Sequence, residues 1–190
     1  MRRFALPIFL LVLCNSFAFA DQKYVVDSSS SQAKFSIRHF AETVDGTFND
    51  VSGTIAYEPS DLTRSRVHVA IKISSVNTGK SQRDEHLQGN EFFDAHNYPE
   101  MIFDSQRIEK RASGYVAIGN FTMRGTTKSI EIPFTLAVSG NPSTGTMNIR
   151  GATTINRRDY KVGSEEMTDN QLTLGDEVKI ELNIQATPAR

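Results

Sequence analysis

The chain has 190 residues, with 21 Lys and Arg against 22 Asp and Glu and a formal net charge of −1. This mild and interspersed charge argues against nucleic acid or an anionic membrane surface as the main partner. The length suffices for one domain with a sizeable hydrophobic core, and beyond the first 20 residues no segment is long and apolar enough to cross a membrane.

The first 20 residues have the pattern of a cleavable secretory signal. Two arginines provide a basic start, and the apolar run over residues 4–19 is shorter than the ~20 residues of a membrane-spanning helix. Small residues close the run, so we expect cleavage after Ala20 and a mature domain of residues 21–190 in the periplasm. Loss of the two arginines leaves 19 basic against 22 acidic residues, a net charge of −3. No stable membrane insertion is expected.

The sole cysteine, Cys14, lies inside this signal. Leu13 stands where a lipoprotein signal needs a small residue, so lipid attachment is not expected. The predicted mature chain therefore has no thiol. Disulfides, thiolate catalysis and cysteine–metal sites are excluded, and packing alone must stabilise the fold.

Alternation of apolar and polar residues is the main structural pattern. It extends over residues 67–73, 130–138 and 178–184, and it recurs in shorter runs at 35–37, 53–57, 102–105, 115–117, 120–124 and 147–152. Strands with one apolar and one polar face are typical of antiparallel sheets. About eight such strands are expected.

Turn-forming residues separate the runs. The predicted turns lie at Asp45-Gly46, at Asn49-Asp50, at residues 58–60 and 112–114, at Arg124-Gly125 and at residues 140–142.

Residues 81–95 lack the alternation and predict a short helical crossover between two strands. Ser81 is the expected helix cap, Gly89 the expected stop, and Asn90 the expected cap of a second turn that carries two phenylalanines.

A sheet with one apolar face can close on itself, and an eight-stranded barrel either fills with side chains or holds one small ligand. The predicted fold is an all-β, eight-stranded antiparallel lipocalin-like barrel with a helical crossover or plug. Periodicity leaves a packed core and a ligand cavity equally open. The predicted inward residues are Phe35, Ile37, Ile55, Val69, Ile71, Ile73, Phe103, Met123, Ile132, Phe134, Leu136, Ile180 and Leu182.

Several motifs together resemble the YceI-like family, whose members are described as polyisoprenoid-binding, lipocalin-like periplasmic proteins. One departure is the run of four serines from Ser28 to Ser31, where the family often has a His-Ser pair. The resemblance is carried in chain order by Asp27 and residues 35–39, 75–79 (SVNTG), 83–87 (RDEHL), 92–94 (FFD), 98–99 (YP), 119–128 (GNFTMRGTTK), 155–160 (INRRDY) and 175–178 (GDEV).

The resemblance implies an extended barrel that holds a polyprenyl chain, in some members with a quinone or phosphate head, in its lumen. The expected ligand is a polyisoprenoid, an isoprenoid quinone or a similar amphiphile, and no other cofactor is expected. A homodimer is left open.

Three polar residues are candidates for the cavity mouth. His39 ends an alternating strand and points inward by parity. Arg83 could contact a ligand oxygen, although an ion pair with Asp84 or another carboxylate is the favoured interpretation. His86 shares a helix face with Arg83, and a structural hydrogen bond is favoured for it.

Leu87, Phe92 and Phe93 are expected to pack as a plug that also contacts the ligand tail. The four histidines show no ligand spacing and no G-x-S-x-G motif occurs, so neither a metal site nor a catalytic centre is predicted.

Three functional hypotheses follow. The first is a lipid carrier, which sequesters or transports its ligand. The second is an enzyme on an apolar substrate, with His39 and a carboxylate transferring a proton. The third is a stress or interaction protein that uses the barrel as a scaffold.

Overall fold

The computed structural model describes residues 22–140, 145–163 and 174–189. Within these ranges, eleven strands form one antiparallel sheet. The strands are β1 (Gln22–Val26), β2 (Gln32–His39), β3 (Glu42–Phe48), β4 (Val51–Tyr57), β5 (Arg66–Lys72), β6 (Val76–Asn77), β7 (Glu100–Arg111), β8 (Gly114–Met123), β9 (Thr126–Ser139), β10 (Thr146–Asn156) and β11 (Leu174–Pro188). Helix α1 spans Ser81–Gln88, and short 3₁₀ turns lie at Ser28–Ser30, Leu62–Arg64, Ile73–Ser75 and Arg157–Tyr160.

The sheet closes into a barrel. The pairing order β1-β4-β5-β7-β8-β9-β10-β11 returns to its start because β11 also pairs with β1, which makes a ring of eight strands. Strands β2, β3 and β6 continue β1, β4 and β5 past kinks, and β2 pairs with the first part of β11. The predicted eight-stranded antiparallel barrel is confirmed.

The serine run makes the first of these kinks. The Asp27 carboxylate accepts hydrogen bonds from the Ser29 amide at 3.0 Å and from the hydroxyls of Ser29 and Ser30 at 2.7 and 2.9 Å. The Ser28 hydroxyl donates to Asp50 at 3.1 Å and so ties this kink to the neighbouring kink between β3 and β4. Short polar side chains therefore redirect both strands without breaking the ladder.

One predicted turn is wrong. Asp45 and Gly46 lie inside β3, and the chain reverses instead at Phe40, which has φ 55°. Arg38 stabilises this reversal by donating from Nε to the Phe40 carbonyl at 3.2 Å. The missing side chain of Gly46 makes room for Phe35, because a Cβ at this position would lie 2.3 Å from Cζ of Phe35. The Phe35 ring therefore occupies the space above the glycine.

The predicted crossover is helical over Ser81–Gln88 and ends at Gly89 as expected. Its predicted cap is wrong, since Lys80 is the N-cap residue and Ser81 is the first helical residue. The preceding loop is fixed by Asp84, whose carboxylate accepts from the Thr78 amide and hydroxyl at 2.8 and 2.6 Å. The turn after the helix is built on backbone bonds to Gly89, including Phe92 N–H to Gly89 O at 3.1 Å. Among the described residues, no helix has the length and apolarity to span a bilayer.

Replacing Gly46 with alanine should destabilise the barrel by about 1–3 kcal/mol, because the added methyl group overlaps the Phe35 ring. Urea unfolding of Gly46→Ala, Phe35→Leu and the double variant forms a double-mutant cycle. The cost of Gly46→Ala should shrink when Phe35 is Leu. Strictly additive effects would show that the two residues do not depend on each other.

Candidate ligand-binding cavity

An apolar cavity of about 210 Å³ lies inside the barrel. Its wall takes residues from strands around the ring, from the Leu62 turn at one end and from the loop after α1 at the other. The wall atoms that face the lumen are apolar. Water is poorly accommodated in such a space, whereas an apolar ligand fits it.

The inward face predicted from alternation lines this cavity, with one exception. Ile73 is absent from the wall and is only 1% exposed in the hydrophobic core. The strand ends at Lys72 and a 3₁₀ turn follows, so parity no longer applies at Ile73. The predicted residues that the structure places in the wall are Phe35, Ile37, Ile55, Val69, Ile71, Leu87, Phe92, Phe93, Phe103, Met123, Ile132, Phe134, Leu136, Ile180 and Leu182.

Many wall residues are only half-buried although they point into the barrel. Phe35, Phe134, Leu136, Ile180 and Leu182 all fall in this class. Side chains that met in the middle of a filled barrel would be excluded from solvent to the same degree as a core residue such as Val51, which is 0% exposed. Their accessibility therefore reflects free space along the axis. Periodicity left open a packed core or a ligand cavity, and the structure contains the cavity.

Further wall residues escaped the sequence analysis. Ile149, Val178 and Ile184 continue alternating strands and could have been found by extending the parity argument. Leu62 and Val162 lie in turns, where no periodicity marks them. The additional apolar and aromatic wall residues are Ala33, Phe48, Tyr57, Leu62, Val67, Met101, Ile108, Tyr115, Ala117, Phe121, Ile130, Met147, Ile149, Ile155, Val162, Leu174, Val178 and Ile184.

The three polar candidates lie outside the wall. His39 is exposed at the end of β2, with its ring 4.7 Å from that of Phe40, contrary to the inward orientation that parity predicts. Parity fails because the strand reverses directly after His39. His86 is also exposed, and it contacts Glu91 at 3.3 Å and the edge of Phe92 at 5.0 Å between ring centroids.

Arg83 has a structural partner, but a different one from the carboxylate that was expected. Its Nε donates to the Thr78 hydroxyl at 2.7 Å and its Nη2 to the Thr78 carbonyl at 2.9 Å. Asp84 binds Thr78 as well, so both charged side chains hold the same loop. Arg83 thereby fixes the start of the crossover.

The crossover closes one end of the cavity. Leu87, Phe92 and Phe93 all lie in the wall, as expected for a plug. The Phe93 ring meets Phe48 edge to face at 5.6 Å, and Phe48 packs against Phe35 at 5.5 Å between centroids. This aromatic chain couples the plug to β2 and β3.

Arg157 is a buried cation at the same end, and the sequence analysis did not single it out. Its side chain lines the cavity and is 3% exposed. The guanidinium donates to the carbonyls of Val162 at 2.7 Å, Gly175 at 2.8 Å and Leu174 at 3.4 Å, and it contacts Asp176 at 3.3 Å. Burial lowers the pKa of Arg157, and Asp176 opposes this effect. Arg157 thus joins the end of β10 to the start of β11.

Tyrosines occupy the opposite end. Tyr57 and Tyr115 lie in the wall, and the Tyr115 ring stacks on Phe134 with centroids 5.4 Å apart. Burial raises the pKa of Tyr57, and the nearby Tyr115 and Tyr24 add to this effect. The Tyr57 phenol therefore stays protonated at neutral pH and can donate a hydrogen bond.

Within the described ranges, no group of three or more His, Cys, Asp or Glu side chains could hold a metal ion. The described wall contains no His, Asp or Glu. His68 and Asp104 form a pair at 2.7 Å on the outer surface, where both are more than half exposed.

These features define a small antiparallel barrel protein with an apolar axial cavity, plugged at one end by aromatic residues of a helical crossover. Residues 24–186 match the YceI-like domain, and the chain belongs to the YceI-like family. The resemblance noted from the sequence motifs is thereby confirmed.

Several relatives share much of the chain. A UPF0312 protein of Yersinia pestis is 31% identical over 137 residues, which cover 72% of this chain and 71% of that protein. A UPF0312 protein of Yersinia enterocolitica is 32% identical over 126 residues, covering 65% of this chain and 66% of the relative.

Solved structures agree with the fold. The crystal structure of BcnA from Burkholderia cenocepacia has a TM-score of 0.74 at 27% identity and covers 85% of this chain and 99% of its own. A YceI protein of Campylobacter jejuni has a TM-score of 0.66 at 27% identity, with coverages of 78% and 86%. A polyisoprenoid-binding domain from Saccharophagus degradans, implicated in plant cell wall breakdown, has a TM-score of 0.65 at 16% identity, with coverages of 87% and 98%.

Replacing Arg157 with lysine should lower the free energy of unfolding by about 1–3 kcal/mol, because lysine cannot satisfy the same set of buried carbonyls. Arg158→Lys is the matched control, since Arg158 is 44% exposed and contacts the same Asp176 carboxylate. Its effect should remain within about 0.5 kcal/mol. Equal urea midpoints for the two variants would contradict the anchoring role.

Proposed function

We propose that the protein binds a long apolar lipid inside the barrel and sequesters or transports it. The candidate ligands are a polyisoprenoid, an isoprenoid quinone or a similar amphiphile. The observation that carries the proposal is the axial cavity itself, whose wall offers apolar atoms along its length. A slender hydrocarbon chain is the complementary ligand.

The energetics are favourable. Each buried CH₂ group contributes ~0.8 kcal/mol, whereas association costs on the order of 4–15 kcal/mol. A few isoprene units therefore outweigh the cost of binding without any polar recognition. The cavity of about 210 Å³ also exceeds the ~150 Å³ at which apolar protein cavities are known to take up benzene.

The family relationship supports this function. The YceI-like barrel of this chain has the same fold as a domain described as polyisoprenoid-binding. The predicted signal of residues 1–20 lies outside the described residues. It supports export, and we place the site of action in the periplasm.

A binding role is favoured over an enzymatic one. The enzyme hypothesis needs an acid–base pair in the cavity, with His39 as one member. His39 is exposed at the rim, and the described wall contributes no carboxylate. The wall can enclose and orient a chain, but in these ranges it has no histidine or carboxylate that could form the required acid–base pair.

The direct experiment is native mass spectrometry of the protein purified from its own compartment with the signal segment intact in the expressed gene. We expect a mass adduct that organic extraction releases as an isoprenoid-type lipid. A protein that carries no lipid and also fails to bind the apolar fluorophore N-phenyl-1-naphthylamine would rule out the carrier function.

A lumen-filling variant tests the location of the ligand. Ile180→Trp should occupy the cavity and weaken binding of farnesol at least about tenfold, which corresponds to about 1.4 kcal/mol. Lys179→Trp is the matched control, because Lys179 precedes it on β11 and faces the solvent. Thermal unfolding checks that both variants fold. Equal farnesol affinities for the two variants would place the ligand outside the barrel.

A further inference from the structure

The two ends of the cavity differ in polarity. At the plug end, Leu87, Phe92 and Phe93 present apolar surface, and the donors of Arg157 are engaged by carbonyls and Asp176. Little at this end can bind a polar head group. The opposite end carries phenol rings in the wall.

Tyr57 and Tyr115 approach the lumen from well-separated positions in the ring. Tyr57 is the last residue of β4 and Tyr115 is the second residue of β8. Since β5 and β7 lie between these strands, β4 and β8 are three places apart in the ring of eight. Both rings form part of the same apolar wall.

The rings of both tyrosines belong to the wall, whereas their hydroxyls lie beyond the apolar surface that faces the lumen. In the part of the chain that the structure describes, no protein group hydrogen-bonds either hydroxyl. In the same ranges no buried polar side-chain atom lacks a partner, so both hydroxyls must be accessible to solvent. Tyrosine suits such a boundary, because its ring is apolar and its hydroxyl is polar. At this end of the barrel, solvent-accessible hydroxyls therefore border the apolar lumen.

A lysine side chain lies beside Tyr115 at this end of the barrel. Lys110 pairs with Tyr115 in the β7–β8 ladder, so the two side chains emerge on the same face of the sheet. Lys110 is exposed, and within the described residues it forms no ion pair, whereas the adjacent Arg111 is engaged by Glu109 and Glu131. We call Tyr57, Lys110 and Tyr115 the tyrosine rim.

We infer that the tyrosine rim binds the head group of the lipid, and that the tail points toward the Phe92–Phe93 plug. This inference rests on the proposed function. Two phenol donors and one ammonium group match a head whose oxygens accept hydrogen bonds, and Lys110 favours an oxyanion over a neutral oxygen. The preferred ligand is thus an apolar chain headed by a phosphate or carboxylate group, followed by an alcohol or carbonyl, and then by a plain hydrocarbon.

Three probes with the same C15 skeleton separate these contributions: farnesyl phosphate, farnesol and farnesene. Affinities are measured by displacement of N-phenyl-1-naphthylamine from the full mature protein. The wild type should prefer them in that order. Tyr57→Phe/Tyr115→Phe removes only two hydroxyls and should weaken both oxygen-bearing probes about three- to tenfold per hydroxyl, while farnesene binding is unchanged.

Lys110→Gln should weaken farnesyl phosphate about two- to fivefold and leave farnesol unchanged, as expected for one exposed charge. Tyr98→Phe and Lys179→Gln are the matched controls. Both residues lie outside the cavity wall and are exposed, and their variants should bind all three probes like the wild type.

The outcomes separate lipid binding itself from the assignment of the head group to the tyrosine rim. A wild type that binds none of the three probes would count against lipid binding itself. A wild type that binds all three, with rim variants that bind each probe unchanged or lose farnesene equally, would overturn the head-group assignment alone.

Discussion

The pairing of β1 with β11 closes the sheet, and the properties of the cavity follow from that closure. Once the ring is complete, each of its eight strands has a neighbour on both sides, and the apolar face of each strand must point to a common axis. Alternation along each strand then places apolar side chains toward the axis and polar side chains toward the solvent. At eight strands the lumen is wider than the side chains fill, so a cavity remains along the axis.

Closure also explains why the polar parts of the fold lie where they do. The chain must bend between β1 and β2 and between β3 and β4 to follow the barrel wall, and Asp27, the serines after it and Asp50 supply hydrogen bonds at these two bends. Polar side chains also fix the loops at the end of the barrel that carries the plug. Arg157 seals the junction of β10 and β11 with carbonyl contacts, and Asp84 with Arg83 fixes the loop that leads to the plug.

Much of this was predictable because strand parity is a strong local rule. Ile130 to Leu136 and Val178 to Leu182 alternate over several residues, and a single register places each set on one face. Gly89 ends the helix as expected, in an extended conformation with φ −66°. The family motifs, spread over most of the chain, then selected a closed barrel from the architectures that such a face allows.

The departures occur where a residue's role depends on a partner distant in sequence or on the end of a strand. Gly46 has the local pattern of a turn, yet the ring of Phe35 on the adjacent strand decides its conformation. Ile73 and His39 fail for a shared reason, because parity loses its meaning where a strand ends: Ile73 directly follows the end of β5, and His39 directly precedes the reversal at Phe40. Arg157 looks like a surface charge in sequence, and only the approach of Leu174 and Gly175 makes it a buried anchor.

The cavity also sets the relation between stability and function in this barrel. The predicted mature chain has no disulfide to stabilise it, and its lumen forgoes the contacts that a filled core would gain. Any ligand that binds the folded state stabilises it in proportion to the logarithm of its concentration over Kd. A lipid in the lumen would therefore supply packing that the inward side chains of β9 and β11 cannot give one another. The free volume that weakens the barrel as a core is the same feature that gives it the capacity to hold an apolar chain.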